Sequence, residues 1–341
     1  MPEQGVAVVG AGSWGTTVAA LLATRTPTVL WSRRPDLADA VTGRHENPDY
    51  LPGIRLPDSL AATTSMGEAV GGAVAVLMAV PSHGFRDVLT GLLPWLEPGA
   101  PVVSLVKGIE AGTNLRMSQI VADLAPANPA GVLCGPNLAR EVAEAQPAAT
   151  VVALPDAADA ARIQAMLHTK TFRVYTGTDV VGCEIAGATK NVMALAAGMC
   201  DGLGFGENTR AVLITRGLAE LGRLGVTLGG QTLTFGGLAG VGDLVATCTS
   251  PKSRNRTVGF ELGRGRPLAE IVGGMRMIAE GVKTAGPLLG LARAHGVEMP
   301  IVEQVEAIVE GRRSPRDALE ALMDRPARPE WDEELLRGFP S

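Results

Sequence analysis

Three glycines near the N-terminus have the spacing of a loop that binds phosphate. Gly10, Gly12 and Gly15 form the pattern G-x-G-x-x-G between an apolar run, Val6–Val9, and a segment with helical spacing, 14–24. The first glycine permits a tight turn, the second lets the backbone approach a pyrophosphate, and the third lets the helix pack against the strand. The helix N-terminus adds N–H donors for the phosphates. We therefore predict a dinucleotide site rather than an ordinary glycine turn.

Two arginines follow the next apolar run, 28–31, where the ribose of a dinucleotide would lie. The run is followed by Ser32, Arg33 and Arg34. A site selective for NAD usually places an acid there for the ribose 2′-hydroxyl, whereas arginine pairs with the 2′-phosphate of NADP through its planar fork. We therefore expect NADPH to be preferred and NADH to be possible. The alternative is that both arginines are solvated loop charges.

Polar residues also follow three other predicted strands, and ligands of doubly wound sheets bind beyond the carboxyl ends of the strands. They are Ser82 and His83 after 73–80, Lys107 after 101–106, and Gly135 and Asn137 after 131–134. Lys107 is the strongest candidate, because a lysine that ends an apolar strand can point its ammonium group into the site. The alternative is a surface lysine whose stem covers apolar neighbours. His83 alone is more typical of a structural or surface residue.

A second lysine lies inside the most apolar long segment of the chain, the predicted helix 179–202. Burying Lys190 there is costly unless its charge is paired or used. Desolvation lowers the pKa of a buried lysine, which suits proton transfer near neutral pH. Its helical neighbours Ala186 and Ala194 are small enough to leave room for a substrate. We predict a catalytic role; the alternative is a lysine at the helix edge with a surface partner.

One carboxylate lies in a loop bracketed by glycines in the second half of the chain. Asp243 follows Gly240, Val241 and Gly242. It could hold a lysine ammonium group or a substrate hydroxyl, and it could equally be the N-cap of a helix. The sequence leaves these two interpretations open.

A basic cluster, residues 251–257, stands out in a chain whose net charge is −5. It places Lys252, Arg254 and Arg256 among serine, asparagine and threonine side chains. Such a group can hold a phosphate through several charge-assisted hydrogen bonds. We predict a phosphate site, with a solvated basic loop as the alternative.

The elements that must position these residues change in kind near residue 179. Before it, apolar runs alternate with helical stretches, which predicts βαβ units and a mostly parallel sheet covered on both faces. After it, helical periodicity and glycine-rich turns dominate, with helices expected at 179–202, 209–224, 285–295, 301–310 and 317–322. We therefore expect an α/β protein, with an N-terminal Rossmann-type doubly wound sheet (1–178) and an all-α C-terminal domain (179–341). A tail, 325–341, should be extended.

Composition and charge exclude several classes of protein. The length of 341 residues exceeds one average domain, and 46% hydrophobic with 19% charged residues supports a large core rather than disorder. The negative net charge argues against a nucleic-acid partner. The four cysteines and four histidines are scattered without C-x-x-C spacing, so we expect no metal site and no disulfide framework.

We expect neither a signal peptide nor a membrane span. The N-terminus enters a strand directly, without a basic start and an apolar stretch. The apolar segment 179–202 contains Asp179, Glu184, Lys190 and Asp201, which predicts a buried helix rather than a membrane span. The expected location is the cytoplasm.

Taken together, the motifs resemble the NAD(P)-dependent glycerol-3-phosphate dehydrogenase family from Val6 to about Val309. No single motif is decisive, but their number and order are specific. They are the glycine loop 10–15, Asn-Pro-Asp-Tyr-Leu-Pro-Gly at 47–53, Val-Pro-Ser-His at 80–83, Lys-Gly-Ile-Glu at 107–110, Gly-Pro-Asn at 135–137, Lys-Asn at 190–191, Gly-Val-Gly-Asp at 240–243, Ser-Arg-Asn at 253–255, and Glu-Gly-Val with Thr-Ala between 280 and 285.

The resemblance implies a role for each matching residue. Lys190 is similar to the general acid that protonates the carbonyl oxygen, and Lys107 to a lysine that contacts the substrate and the nicotinamide region. Asp243 is similar to the acid that orients Lys190 and the substrate hydroxyls. The implied substrate contacts are Lys107, Gly135, Asn137, Lys190, Asp243, Ser253, Arg254 and Asn255. The implied cofactor contacts are Gly10, Gly12, Ser13, Trp14, Gly15, Arg33, Arg34, Lys107, Ala139, Arg254, Ile278 and Glu280.

The resemblance also implies an activity, a reversible NAD(P)H-dependent reduction of dihydroxyacetone phosphate to sn-glycerol 3-phosphate that supplies glycerophospholipid synthesis. It implies a homodimer as well. One departure is Asn137, where the family usually has serine; asparagine still donates and accepts hydrogen bonds but is longer. The rival interpretations are a 3-hydroxyacid dehydrogenase, which has no need of a phosphate cluster, and a nucleotide sensor, which has no need of the lysines and Asp243.

Overall fold

The computed structural model describes residues 5–275, 279–327 and 329–330 of the chain. Its backbone contacts divide the protein into two units: Met1–Val106 with Arg116–Val180, and Lys107–Leu115 with Val181–Ser341. The segment Lys107–Leu115, which the sequence analysis assigned to the first domain, thus belongs to the second unit, where Ile109 is buried in the core. The expected domain boundary at 178 remains a prediction.

The first unit contains an eight-stranded sheet in the order β3-β2-β1-β4-β5-β6-β7-β8. Its strands are β1 (Val6–Val9), β2 (Thr28–Trp31), β3 (Ala61–Thr63), β4 (Ala75–Met78), β5 (Val102–Ser104), β6 (Ala130–Cys134), β7 (Ala148–Ala153) and β8 (Phe172–Gly177). All neighbouring strands are parallel except β6 and β7. The apolar runs are buried because helices cover the sheet. The Rossmann-type fold expected from the sequence is confirmed.

Seven helices of the first unit follow or flank the strands. They are α1 (Ser13–Ala23), α2 (Pro35–Asp39), α3 (Met66–Val70), α4 (Phe85–Leu92), α5 (Met117–Leu124), α6 (Ala139–Ala143) and α7 (Ala157–Leu167). The sheet order steps outward from β1 in both directions, β2 on one side and β4 on the other. Such a switch point places the loop after β1, which holds the three glycines, at the usual ligand edge of the sheet.

Apart from the loop Lys107–Leu115, the described part of the second unit is built mainly from helices. Its helices are α8 (Val180–Gly202), α9 (Glu207–Thr227), α10 (Thr232–Phe235), α11 (Asp243–Thr249), α12 (Arg254–Gly263), α13 (Leu268–Gly273), α14 (Glu280–Ala294), α15 (Pro300–Val309) and α16 (Pro315–Met323). Helix α8 is long and apolar enough to cross a membrane, but 89% of its most apolar window is buried inside the protein. That burial agrees with the core helix expected from the sequence.

Glycines set the distance between α8 and α12. A β-carbon added at Gly198 would lie 2.0 Å from the Arg256 carbonyl oxygen, and one added at Gly259 would lie 2.0 Å from that of Leu195. Gly202 and Gly263, one helical turn further along each helix, also face backbone of the partner helix. Backbone atoms cannot yield as a flexible side chain does, so this contact requires glycine on both helices.

Substituting Gly259→Ala should therefore destabilise the protein by roughly 1–3 kcal/mol, because the new methyl group forces α8 and α12 apart. Gly286→Ala is the matched control: it lies within α14 and its added β-carbon meets nothing within 4 Å. That substitution should raise stability by about 0.5–1 kcal/mol through helix propensity. Urea unfolding of both variants tests the contact; equal effects of the two would contradict it.

A buried carboxylate connects α9 to the start of α15. Glu220 is 2% exposed, and its two carboxylate oxygens accept hydrogen bonds from the backbone N–H groups of Ile301 (2.7 Å) and Val302 (3.3 Å). These N–H groups have no partner within their own helix, so Glu220 takes the place of a cap. Burial raises the pKa of Glu220 to about 7, although both N–H groups favour the charged form.

The raised pKa of Glu220 predicts a pH dependence of stability. Because the folded state holds this proton more tightly than the unfolded state, the contribution of Glu220 to stability is largest below about pH 4.5 and falls as pH rises to about 7. Relative to Glu220→Gln, the free energy of unfolding of the natural protein should fall by roughly 3 kcal/mol over that interval. Glu303→Gln, an exposed acid on α15, should show no such trend. A flat difference for Glu220→Gln would refute the raised pKa of Glu220.

Candidate active site

Asp243 lies between the two lysines that the sequence analysis singled out. Its carboxylate is 2.6 Å from Lys107 Nζ and 3.2 Å from Lys190 Nζ, and all three side chains are largely buried. Helix α11 begins at Asp243, but its N-cap is Gly242 and no side chain caps it. The interpretation of Asp243 as a helix cap is therefore wrong, and its carboxylate holds lysine ammonium groups instead.

A hydroxyl group completes this cluster. Lys190 Nζ donates to Thr247 Oγ1 at 2.8 Å, and Thr247 Oγ1 lies 3.2 Å from Asp243 Oδ1, to which it donates. Thr247 was not predicted from the sequence, since a threonine in an apolar helix belongs to no motif. Its position four residues after Asp243, on the same face of α11, is the signal that could have found it.

The charges of the cluster keep Asp243 ionised. Burial by itself would raise the pKa of this carboxyl group, but the charges of Lys107 and Lys190, with their hydrogen bonds, hold the pKa below its usual value. Two cations therefore face one anion in a buried setting. The excess positive charge can stabilise an oxygen on which negative charge develops, and an ammonium group can give that oxygen a proton.

Asparagines tie the lysines to the neighbouring helices. Asn191 Nδ2 donates to the Lys107 carbonyl oxygen at 2.9 Å, and Asn191 Oδ1 accepts from Asn255 Nδ2 at 2.8 Å. Asn255 Oδ1 in turn accepts from the backbone N–H of Gly281 at 2.9 Å. This series of hydrogen bonds joins the 107–115 segment to α8, α12 and α14. Asn255, expected as a substrate contact, has both ends of its amide engaged in this network.

The basic cluster 251–257 divides into cations with different surroundings. Arg256 Nη2 is 2.7 Å from the Asp201 carboxylate, which also holds Arg210 at 2.6 Å. Lys252 and Arg254 are exposed. Ser253 is the N-cap of α12, and its hydroxyl accepts from the Arg256 N–H at 3.3 Å. Arg256 is thus engaged by an acid within the protein, while the phosphate site at 251–257 stays a prediction.

In the first unit, the glycine loop has the shape that a pyrophosphate requires. Gly10 has φ +115°, and a β-carbon there would lie 2.8 Å from the Ala79 carbonyl oxygen. A β-carbon at Gly15 would lie 2.0 Å from the Gly10 oxygen, whereas one at Gly12 meets nothing within 4 Å. Gly12 is also the N-cap of α1, with no side-chain cap. The open space at this helix start fits the phosphates of a dinucleotide.

The 47–53 motif is hydrogen-bonded to the glycine loop and to the start of α1. Asn47 is fully buried, and its amide donates to the Ala11 carbonyl oxygen at 3.0 Å and to Thr16 Oγ1 at 2.7 Å. Ser13 Oγ donates to the Tyr50 carbonyl oxygen at 2.7 Å. In the sequence, this motif contributed only to the resemblance. Its physical role is to fix the loop to the start of α1.

The remaining described residues that were expected to contact cofactor or substrate make contacts within the protein or lie at helix ends. Trp14 packs edge-on against Phe172, with ring centroids 6.1 Å apart. Ala139 begins α6, and its carbonyl oxygen accepts from Thr17 Oγ1. Asn137 Nδ2 donates to Thr150 Oγ1 at 2.9 Å. Gly135 lies against Thr150, and Glu280 is the first residue of α14. Ile278 and the end of the expected tail, from 331 onward, lie outside the described residues.

The two arginines after β2 differ in their contacts. Arg33 is exposed and forms no ion pair with any residue that the structure describes. Arg34 contacts the carboxylates of both Asp36 and Asp49. His83 is exposed in a short 3-10 helix, Ser82–Gly84, and the described residues include no cluster of acids, histidines and cysteines that could hold a metal ion.

The sheet and its glycine loop, together with the lysine–aspartate cluster, define a nicotinamide-dependent oxidoreductase. Sequence profiles of NAD-dependent glycerol-3-phosphate dehydrogenase match residues 5–160 (N-terminal part) and 179–320 (C-terminal part). The chain therefore belongs to the NAD-dependent glycerol-3-phosphate dehydrogenase family.

Individual relatives agree with this assignment. A glycerol-3-phosphate dehydrogenase (NAD(P)+) of Streptomyces griseus is 54% identical over 327 residues, covering 95% of this chain and 97% of that protein. One of Sphingopyxis alaskensis is 50% identical over 318 residues, covering 93% and 96%. The crystal structure of glycerol-3-phosphate dehydrogenase from Coxiella burnetii superposes with a TM-score of 0.91 at 37% identity, covering 95% and 99% of the two chains.

The contacts of Thr247 predict that it positions Lys190. Thr247→Val keeps the volume but removes the hydroxyl that accepts from Lys190, so kcat with the family's substrate should fall roughly tenfold and its pH profile should shift. Thr247→Ser should restore both, because the hydroxyl returns. Thr249→Val, an exposed site on the same helix, is the control. An unchanged pH profile in Thr247→Val would show that the hydroxyl has only a packing role.

Proposed function

We propose that the protein is a glycerol-3-phosphate dehydrogenase, which reversibly reduces dihydroxyacetone phosphate to sn-glycerol 3-phosphate with NAD(P)H. The observation that carries this proposal is the buried Lys107–Asp243–Lys190 cluster. A binding protein has no need for two buried ammonium groups held by one acid. The reduction of a ketone needs such groups, because they stabilise and protonate the carbonyl oxygen. The relatives named above carry the same activity in their names.

The residues of the cluster divide the chemical work. When bound, the nicotinamide cofactor supplies the hydride to the carbonyl carbon. Lys190 donates its proton to the carbonyl oxygen as negative charge develops there, and Lys107 stabilises the same charge. Asp243, ionised throughout, holds both ammonium groups in place. In the oxidation direction, neutral Lys190 takes the proton of the substrate hydroxyl.

The exposed cations of the basic cluster 251–257 bind the phosphate of the substrate. Lys252 and Arg254 are exposed, whereas Arg256 is only partly exposed and is held by the Asp201 carboxylate. Ser253 and Asn255 flank Arg254 at the start of α12 and present it from a fixed helix end. This arrangement favours a phosphorylated ketone over the unphosphorylated hydroxyacid of the rival interpretation.

We further propose that NADPH is the preferred cofactor, with NADH accepted, because arginines rather than an acid directly follow β2. A homodimer, a cytoplasmic location and a role in supplying glycerophospholipid synthesis complete the proposal by analogy with the family. Sedimentation of the purified protein tests the dimer, which a monomer at micromolar concentration would contradict.

Lys190→Ala provides the direct test of the mechanism. The variant should lose roughly 10²- to 10⁴-fold in kcat for dihydroxyacetone phosphate, as expected on removing a general acid, while its affinity for NADPH stays unchanged. NADPH absorbance reports turnover, and fluorescence titration reports binding. Lys283→Ala, an exposed lysine on α14, should keep full activity.

Two outcomes would contradict the proposal. Turnover of Lys190→Ala close to that of the natural protein would remove Lys190 from the mechanism. Equal turnover of dihydroxyacetone phosphate and unphosphorylated dihydroxyacetone by the natural protein would remove the phosphate site and favour another reductase of this fold.

A further inference from the structure

The guanidinium group of Arg34 is held by two acids from different segments. Its Nη1 lies 2.6 Å from an Asp49 carboxylate oxygen, and its Nε donates to Asp36 at 3.1 Å, with a second contact from Nη2. Both carboxylates raise the pKa of Arg34 above its usual value. A ligand phosphate that binds Arg34 must therefore compete with these two acids.

The backbone around Arg34 places this group at the cofactor end of the sheet. Ser32, which is 2% exposed, accepts from the Arg34 N–H and donates to the Arg34 carbonyl oxygen, which fixes the turn after β2. The Gly10 N–H donates to the carbonyl oxygen of Trp31 at 3.0 Å, so the glycine loop and the end of β2 are direct neighbours. Asp49 belongs to the 47–53 motif that supports the same loop.

A cavity of about 340 Å³ lies beside this ion pair, and acids outnumber bases on its wall. The charged residues that line it are Arg34, Arg44, Asp36, Asp39 and Asp49. Two guanidinium groups thus face three carboxylates. A pocket suited only to a 2′-phosphate would carry an excess of positive charge, whereas this wall offers donors for a phosphate and acceptors for a hydroxyl.

We propose that Asp36 and Asp49 determine the cofactor selectivity of this protein. They compete with the 2′-phosphate of NADPH for Arg34, and they accept a hydrogen bond from the ribose 2′-hydroxyl of NADH. The acids therefore reduce a preference for NADPH that Arg33 and Arg34 would otherwise make strong. The inference rests on the proposed function only for the use of a nicotinamide dinucleotide.

The test compares two nucleotides that differ only at the ribose 2′ position, adenosine 2′,5′-bisphosphate and adenosine 5′-monophosphate. Calorimetry gives the ratio of their affinities for the natural protein, Asp36→Asn, Asp49→Asn and Arg34→Ala. Each aspartate variant should raise the ratio roughly three- to fivefold in favour of the bisphosphate, a modest change because the ion pairs are partly exposed. Arg34→Ala should lower it about tenfold.

Asp123→Asn is the matched control, because it removes one charge from another partly exposed aspartate–arginine pair of the same unit, 2.9 Å from Arg86. It should leave the ratio unchanged. Kd values for NADPH and NADH, measured without substrate, should follow the same order in all variants. Thermal unfolding verifies that each variant is folded.

Two results would overturn the inference: an affinity ratio that is the same in Asp36→Asn, Asp49→Asn and the natural protein, or one that Asp123→Asn changes equally. If neither nucleotide binds, the result overturns both the inference and the predicted dinucleotide site. Neither ligand carries nicotinamide or the phosphorylated ketone, so the affinity ratio tests the selectivity without turnover. Absence of turnover of dihydroxyacetone phosphate would contradict only the dehydrogenase proposal.

Discussion

The burial of the Asp243 charge is the constraint on which the second unit depends. A carboxylate that is 2% exposed is strongly destabilised unless cations and donors surround it. Lys107 and Lys190 supply the cations, and Thr247 supplies a hydroxyl. Because the two lysines are 83 positions apart in the sequence, satisfying Asp243 also holds the 107–115 segment on the helical core. The same contacts that stabilise this unit keep two ammonium groups beside one buried carboxylate.

Close helix packing makes this arrangement possible. The glycine contacts between α8 and α12 bring Asn191 within 2.8 Å of Asn255, and a larger residue at Gly198 or Gly259 would separate the two helices. The hydrogen bond from Asn255 would then be lost, and with it the connection to the Lys107 backbone. The abundance of glycine in the chain, 43 residues of 341, thus has a functional consequence as well as a structural one.

Periodicity and glycine spacing were sufficient to predict the sheet and the helical second half, and they singled out Lys107 and Lys190. For Asp243 the sequence left a lysine partner and a helix cap equally open, and only the structure shows its contacts with the two lysines. The strand β3 was missed because it is three residues long, lies at the sheet edge and is partly exposed, so it has no apolar run. Contacts between distant segments were also beyond prediction. The pairing of Arg256 with Asp201 depends on how three helices pack, which no local pattern in the sequence encodes.

The lysine–aspartate cluster and the ion pairs of Arg34 differ in exposure, and the difference decides how firmly each carboxylate holds its cation. Asp243 is buried, so its attraction for the lysines is poorly screened and no ligand anion displaces it. Asp36 and Asp49 hold Arg34 where water reaches all three side chains, so the attraction is weaker and a phosphate competes on nearly equal terms. Burial therefore makes the Asp243 charge a fixed part of one unit, and exposure makes the pairing of Arg34 an exchangeable contact in the other.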